Sequence, residues 1–151
     1  MKKMEKPSFK GVVLVCDDNY MNLVLICDHL KRLGLEVIVA TNGKGAVELV
    51  SKRSKQYAEN GSKNNTKKLK KQFDIIFMDI HMPYMDGLEA TALIKEIDSN
   101  IPIIAVTTDR KFESADYCKN NGIAGYLGKP FRSQDLWQCL SKHLTQVERQ
   151  P

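Results

Sequence analysis

The stretch FDIIFMDIHMPYMDG, residues 73–87, limits the possible folds of this chain more than any other. Its apolar run, residues 75–78, ends on the carboxylate of Asp79. A buried strand of a parallel sheet reads as a near-continuous apolar run, and open α/β sheets bind ligands beyond the carboxyl ends of such strands. Pro83 and the pair at residues 86–87 are typical of a turn that leads into a helix. The stretch therefore predicts a strand, an acid, a loop and a helix, with Asp79 at the functional edge of a sheet.

Strands and helices alternate along the rest of the chain, which predicts a parallel sheet built from βα units. Further strands are predicted at residues 11–16, 36–40, 101–106 and 124–128. Apolar residues at helical spacing predict helices after them, including one at residues 88–97 and one at residues 113–121. The last helix is predicted to have Ser133 as its N-cap, Asp135 in its first turn, and a buried stripe made of Leu136, Cys139, Leu140 and Leu144.

A chain of 151 residues is long enough for one domain that buries most of its apolar surface without disulfides. No apolar run approaches the roughly 20 residues that a bilayer requires. The charged start MKKMEKPSFK lacks the apolar region of a secretory signal. The four cysteines form no CxxC pair, which favours reduced thiols over disulfides or a metal site. We therefore expect a cytoplasmic domain, whether or not the parent protein is anchored in a membrane.

The net charge of +5 is unevenly distributed. Residues 51–72 contain eight lysine or arginine residues and one glutamate, a net charge of +7, and residues 1–10 add +3, so the remainder carries −5. We interpret residues 1–10 as a basic tail and residues 51–72 as an insert in which a helix runs into a solvated loop. The insert is either a solubilising loop or a docking surface for an acidic partner. Nucleic acid is disfavoured as a partner because Tyr57 alone interleaves with the lysines.

Candidate site residues follow the first, third, fourth and fifth predicted strands, whereas nothing charged follows the second. They are Asp17 and Asp18, Asp79, Thr107 and Lys129. Because the carboxyl ends of parallel strands lie along one edge of a sheet, we expect these side chains to be neighbours. Three crowded carboxylates resist ionisation unless they share a cation. Oxygen ligands that are few and open to water suit Mg²⁺, with Mn²⁺ as an alternative.

A carboxylate beside a divalent cation, a hydroxyl and an ammonium is suited to accepting a phosphoryl group. Aspartate can act as the nucleophile, and the transfer depends mainly on positioning and on charge stabilisation. Lys129 would hold one phosphoryl oxygen, and the hydroxyl of Thr107 would donate to another. The sequence therefore predicts that Asp79 is a phosphoryl acceptor.

These residues lie in the motifs VCDDNYMN, MDIHMPYMDG, IIAVTT and YLGKPF. Through them the chain resembles the receiver domains of two-component signalling, particularly those attached to hybrid sensor histidine kinases. The resemblance covers about residues 11–145, with residues 146–151 as a C-terminal tail. It implies a flavodoxin-like, doubly wound (βα)5 fold, in which helices cover both faces of a parallel sheet with strand order 2-1-3-4-5.

The resemblance also implies a role for each acid. Asp79 would be the phosphoacceptor, Asp18 a direct metal ligand and Asp17 a ligand through metal-bound water. The backbone carbonyl of His81 would complete the protein's share of the metal shell. His81 and Asp109 stand at positions that tune the hydrolysis of the aspartyl phosphate in this family.

The remaining implied roles concern switching. Thr107 would be the switch hydroxyl, Tyr126 the rotating switch aromatic and Lys129 the phosphate-contacting lysine. A cis peptide is implied before Pro130, where X-Pro bonds tolerate it. The chain departs from the family at Thr108, where alanine is more usual.

The implied function is that of a phosphoacceptor domain in a phosphorelay. The phosphodonor would be a sensor histidine kinase or a histidine phosphotransfer domain, and the domain would assist its own phosphorylation and dephosphorylation without being a conventional turnover enzyme. We expect it to be part of a hybrid sensor histidine kinase or, alternatively, a free-standing response regulator. Two other functions are weaker: a phosphatase, which would have an aspartate in place of His81, and a phosphate-independent binding module that uses residues 51–72.

Overall fold

The computed structural model describes residues 6–61 and 72–147, without the side chains of residues 57–61. Five parallel strands form one sheet in the order β2-β1-β3-β4-β5. Their bounds are β1 (Val12–Cys16), β2 (Glu36–Ala40), β3 (Ile75–Asp79), β4 (Ile103–Thr107) and β5 (Gly125–Gly128). The predicted flavodoxin-like fold and its strand order are confirmed.

Helices cover both faces of the sheet. They are α1 (Tyr20–Arg32), α2 (Gly43–Gly61), α3 (Gly87–Ile97), α4 (Ala115–Asn120) and α5 (Ser133–His143). One buried cluster lies between the sheet and α1 and α5, with Leu30 and Leu136 fully buried at 0% exposure. A second cluster lies between the sheet and α2, α3 and α4, with Ala46 and Ile94 as fully buried members. Every residue of β3 and of β4 is buried, so these two strands form the centre of the core.

Local signals fix the ends of several helices. The side chain of Asn19 accepts a hydrogen bond from the Asn22 N–H at 3.1 Å, and that of Asp86 accepts one from the Glu89 N–H at 2.9 Å. Both are N-caps, and they start α1 and α3 directly after the loops that follow β1 and β3. Gly34 follows α1 at a φ of 94°, as predicted for the residue that ends a helix. The two N-caps thus fix where α1 and α3 begin, close to the carboxyl ends of β1 and β3.

One prediction about the helix ends is wrong. Ser133 is the first residue of α5 and not its N-cap, because the Asp135 carboxylate accepts the Arg132 N–H at 2.9 Å and places Arg132 at the cap.

The helix predicted at residues 113–121 is present as α4, one or two residues shorter at each end. A 3₁₀ turn, Arg110–Glu113, precedes it and was not predicted. Ser114 caps α4 and separates the two segments.

The predicted tails and insert fall partly on residues 1–5, 62–71 and 148–151, which lie outside the described residues. The described part of the N-terminal segment includes Phe9, which is 2% exposed and pairs with Gln146 in an antiparallel bridge. The described part of the insert belongs to α2 as far as Gly61. Within the described residues, 6–61 and 72–147, no helix has the length and apolar character needed to cross a membrane.

Gly87 provides a test of how tightly the loop after β3 is packed. A Cβ at this position would come within 2.8 Å of the Ile80 Cα and still closer to the Asp79 backbone. We expect Gly87→Ala to lower the free energy of unfolding by about 1–3 kcal/mol, measured by urea denaturation, because backbone atoms cannot move aside cheaply.

Gly45→Ala is the matched control for this substitution. Gly45 lies inside α2, where an added Cβ meets nothing closer than the Asn42 Oδ1 at 3.3 Å. Its stability should change by no more than about 1 kcal/mol. Equal stability of the two variants would contradict the packing described for Gly87.

Candidate functional site

Three carboxylates meet at the carboxyl edge of the sheet, as the sequence predicts. One oxygen from each of Asp17, Asp18 and Asp79 lies within 4.8 Å of the other two. Asp17 and Asp18 follow β1, and Asp79 is the last residue of β3, which pairs with β1. Asp17 and Asp79 are 5% and 6% exposed, whereas Asp18 is open to solvent. The group therefore has two buried acids and one that faces outward.

Lys129 joins the two buried acids. Its Nζ lies 3.2 Å from Asp17 Oδ2 and 3.4 Å from Asp79 Oδ1. The lysine follows β5 directly, and its backbone N–H donates to the carbonyl of Thr107 at 3.0 Å, which fixes its position against β4. The peptide bond before Pro130 is cis, as the resemblance implied. One ammonium thus faces three carboxylates, and the group keeps an excess of negative charge.

The pKa of Asp79 is raised from 3.8 to about 6. Burial is the largest cause, and the charge of Asp17 is the next; Lys129 lowers the pKa, and Asp18 raises it slightly. The thiol of Cys16 lies under the same group, and burial together with the three carboxylates raises its pKa to about 12. A divalent cation would remove the repulsion that these shifts reveal.

Thr107 lies at the end of β4, beside Asp79 in the sheet. It is 1% exposed, and β4 pairs with β3 in a register that sets Asp79 opposite Val106. Its hydroxyl oxygen accepts a hydrogen bond from the Asp109 N–H at 3.1 Å. The sequence placed Thr107 at this edge but gave no indication of its hydrogen-bond partner.

Tyr126 lies in β5, three residues before Lys129, and is half-buried. Its ring stacks on that of Phe112, with centroids 6.4 Å apart and an interplanar angle of 21°. Burial raises the pKa of the Tyr126 hydroxyl. Phe112 is a residue that our sequence analysis missed, although an aromatic within a charged segment was a visible signal.

Two residues of the loops that follow β3 and β4 are exposed beside the site. His81 is open to solvent, and so is Thr108, which lies at the rim of a cavity of about 320 Å³. That cavity is bounded by α1 and by the loop after β5, and Asp17 and Lys129 stand at its inner side. Tyr84 is exposed and has a φ of 68°, an uncommon conformation for a residue that is not glycine. No residue pattern in this loop predicts that backbone conformation.

The 2-1-3-4-5 sheet and the acids at its carboxyl edge define a class of α/β protein with a cation-compatible acidic pocket at its switch point. The profile of the response regulator receiver domain matches residues 13–141. The chain belongs to this family. Binding of Mg²⁺ and phosphorylation are typical of its members.

Individual relatives support the assignment of the chain to this family. Probable histidine kinase 1 of Oryza sativa subsp. indica is 27% identical over 94% of this chain and 16% of that protein. Hybrid signal transduction histidine kinase I of Dictyostelium discoideum is 34% identical over 87% of this chain and 7% of that protein. The chain therefore spans only a small part of these relatives, and it is similar to the receiver domains of hybrid histidine kinases.

A solved structure supports the same conclusion. The receiver domain of the histidine kinase CKI1 from Arabidopsis thaliana, complexed with Mg²⁺, has a TM-score of 0.76 and 34% identity, and the match covers 91% of this chain and 95% of that chain. The likeness therefore extends over nearly the whole domain.

The raised pKa of Asp79 predicts how stability depends on pH. The folded chain holds the Asp79 proton up to about pH 6, whereas the unfolded chain releases it near pH 4. The stability that this protonation contributes is therefore lost as pH rises from about 4 through 6. In metal-free buffer we expect Asp79→Asn to be more stable than the native chain at pH 8, by on the order of 1–3 kcal/mol, with little difference at pH 4.

Urea unfolding of both proteins across this pH range would measure the difference. Asp28→Asn is the control, because Asp28 is an exposed acid of α1 that pairs with Arg32. Parallel curves for the native chain and Asp79→Asn would contradict the predicted repulsion.

Proposed function

We propose that this domain accepts a phosphoryl group on Asp79 from a protein phosphohistidine and changes conformation in response. The observation that carries the proposal is the position of Asp79. It is a buried carboxylate at the end of a central strand, with an ammonium 3.4 Å away and two further carboxylates beside it. This is the arrangement that phosphoryl transfer to an aspartate needs.

Asp17, Asp18 and Asp79 fit a divalent cation, because their oxygens converge within 4.8 Å. Burial and the charges of Asp17 and Asp18 raise the pKa of Asp79, which a cation would counteract. We propose that these residues hold Mg²⁺, Asp18 directly and Asp17 through a bound water, together with the backbone carbonyl of His81. Mn²⁺ has the same preference for oxygen ligands and could replace it. When bound, the cation supplies positive charge that neutralises the carboxylates and the transferred phosphoryl group.

The transfer itself would use the chain's own residues. An Asp79 oxygen attacks phosphorus, the P–N bond to the donor imidazole breaks, and the bonding electron pair leaves with that imidazole. Asp79 then carries an acyl phosphate. Lys129 holds one phosphoryl oxygen by its ammonium, and Thr107 donates its hydroxyl to another. Thr107 and Tyr126 would then form the switch that changes the surface around β4 and β5.

The first test uses an acyl phosphate of low molecular weight with Mg²⁺, which requires no protein partner. The native chain should gain close to one acid-labile phosphate, measured by intact mass, and Asp79→Asn should gain none. Asp28→Asn should gain as much as the native chain. Equal labelling of native and Asp79→Asn chains would rule out Asp79 as the acceptor, and steady release of phosphate from an ester substrate would favour a phosphatase.

Exposed apolar side chains on α1 favour a protein, rather than a small molecule, as the natural phosphodonor. Tyr20, Met21, Val24 and Leu25 are 76%, 65%, 45% and 58% exposed, and the helix begins directly after the acids that follow β1. Exposed apolar groups on one element beside a reactive site mark a protein-binding surface. We propose that a kinase or histidine phosphotransfer domain docks there and reaches Asp79 from the same side.

We expect Leu25→Ser to slow phosphotransfer from a purified phosphohistidine-containing transfer domain by about 10-fold or more, which corresponds to about 1.4 kcal/mol of docking energy. Labelling by the acyl phosphate should not change, because it does not use α1. Leu93→Ser on α3 is the matched control, since Leu93 is also partly exposed, at 38%. An equal effect of both variants on phosphotransfer would argue against docking on α1.

The relatives suggest which kind of parent protein contains this domain. We propose that residues 11–145 form the receiver domain of a hybrid sensor histidine kinase, with a free-standing response regulator as the alternative. The cytoplasm is the proposed location, because the four free cysteines are stable there as thiols. The neighbouring coding sequence would decide between the two origins, since a kinase core would identify the hybrid protein.

A further inference from the structure

Contacts connect Thr107 to Tyr126 through the turn that follows β4. The first is the hydrogen bond at 3.1 Å from the Asp109 N–H to the Thr107 hydroxyl oxygen. Asp109 in turn caps the 3₁₀ turn, because its carboxylate accepts the Lys111 N–H at 3.0 Å. The hydroxyl of Thr107 therefore holds the residue from which the turn starts.

Phe112 is the buried residue of this turn, at 2% exposure. Its ring contacts two tyrosines, Tyr126 by stacking at 6.4 Å and Tyr117 by an edge contact at 5.0 Å. Its backbone is also anchored, since its N–H donates to the Asp109 carbonyl at 3.4 Å and its carbonyl accepts the Cys118 thiol at 3.1 Å. A shift of Asp109 therefore moves a ring that packs directly on Tyr126.

The hydroxyl end of Tyr126 contacts β5. It lies over Gly128, where an added Cβ would come within 2.6 Å of it. The half-buried ring thus lies between Phe112 and the backbone of β5, directly before Lys129. A displacement of Phe112 changes the space available on one side of this ring.

We propose that Phe112 is the positioning residue that transmits a change at Thr107 to Tyr126. The inference rests on the proposed function. When the Thr107 side chain rotates about χ1 to bring its hydroxyl to a phosphoryl oxygen, its oxygen moves away from the Asp109 N–H, and the start of the 3₁₀ turn is released. Phe112 moves with the turn, and the packing of Tyr126 changes because its stacked partner has moved. The two arrangements exchange one hydrogen bond for another, so phosphorylation needs only to bias an existing equilibrium.

The test follows the Tyr126 ring by NMR in the full chain, before and after labelling with the acyl phosphate and Mg²⁺. Phe112→Leu keeps an apolar side chain but removes the ring, and Phe73→Leu makes the same change in another buried phenylalanine, at 3% exposure. All three proteins should acquire phosphate equally within about 2-fold. The Tyr126 shift on phosphorylation should fall by at least half in Phe112→Leu, persist in Phe73→Leu, and return in Phe112→Tyr, which restores the ring.

A second measurement needs no phosphate. Thr107→Val removes the hydroxyl that accepts the Asp109 N–H, and it should shift the Tyr126 resonance of the unphosphorylated chain. In a double-mutant cycle this shift should be lost when Phe112 is also replaced by leucine. Additive shifts, or a full Tyr126 response in phosphorylated Phe112→Leu, would overturn the role of Phe112 while leaving Asp79 as the acceptor. A native chain that takes up no phosphate would instead overturn the proposed function.

Discussion

The contact on which the site depends is the ammonium of Lys129 between the carboxylates of Asp17 and Asp79, at 3.2 and 3.4 Å. These three side chains come from the ends of β5, β1 and β3, so the contact forms only when these strands have assembled into the sheet in their native order. A single ammonium cannot balance the three acids, and the pKa of Asp79 remains well above its usual value. The acidic site of the folded chain therefore carries uncompensated negative charge, which a divalent cation or a proton can neutralise.

The rest of the fold serves to bring these groups together without strain at the site itself. The central strands are buried along their whole length, which fixes their register and hence the direction of Asp79 and Thr107. The loops that follow β1 and β3 end in N-caps, Asn19 and Asp86, so each loop is short and its helix starts close to the acids. Among the described residues other than glycine, Tyr84 alone has a positive φ, at 68°, and it is exposed. The core supplies rigidity, and the residues of the acidic site lie at the ends of the strands or directly after them.

Sequence patterns predicted the parts of this structure that depend on local composition. The apolar run before Asp79 identified β3, and polar residues after the other strands identified the site, because strand ends in a parallel sheet share one edge. Patterns predicted α4 but not the 3₁₀ turn that precedes it, since the four residues Arg110–Glu113 are too few to show a helical period. They also could not show that Asp109 bonds to Thr107 or that Phe112 stacks on Tyr126, because both contacts depend on how the turn packs against β5.

Stability and function oppose each other at this site, and the same charges explain both. Crowded carboxylates raise the free energy of the folded state, so a chain selected only for stability would not keep Asp17, Asp18 and Asp79 together. The same crowding gives the folded chain a greater affinity for a cation than the unfolded chain has, since only the folded chain gathers the three oxygens within 4.8 Å. Binding free energy therefore offsets the repulsion, and the buried acid keeps a reactive lone pair beside Lys129.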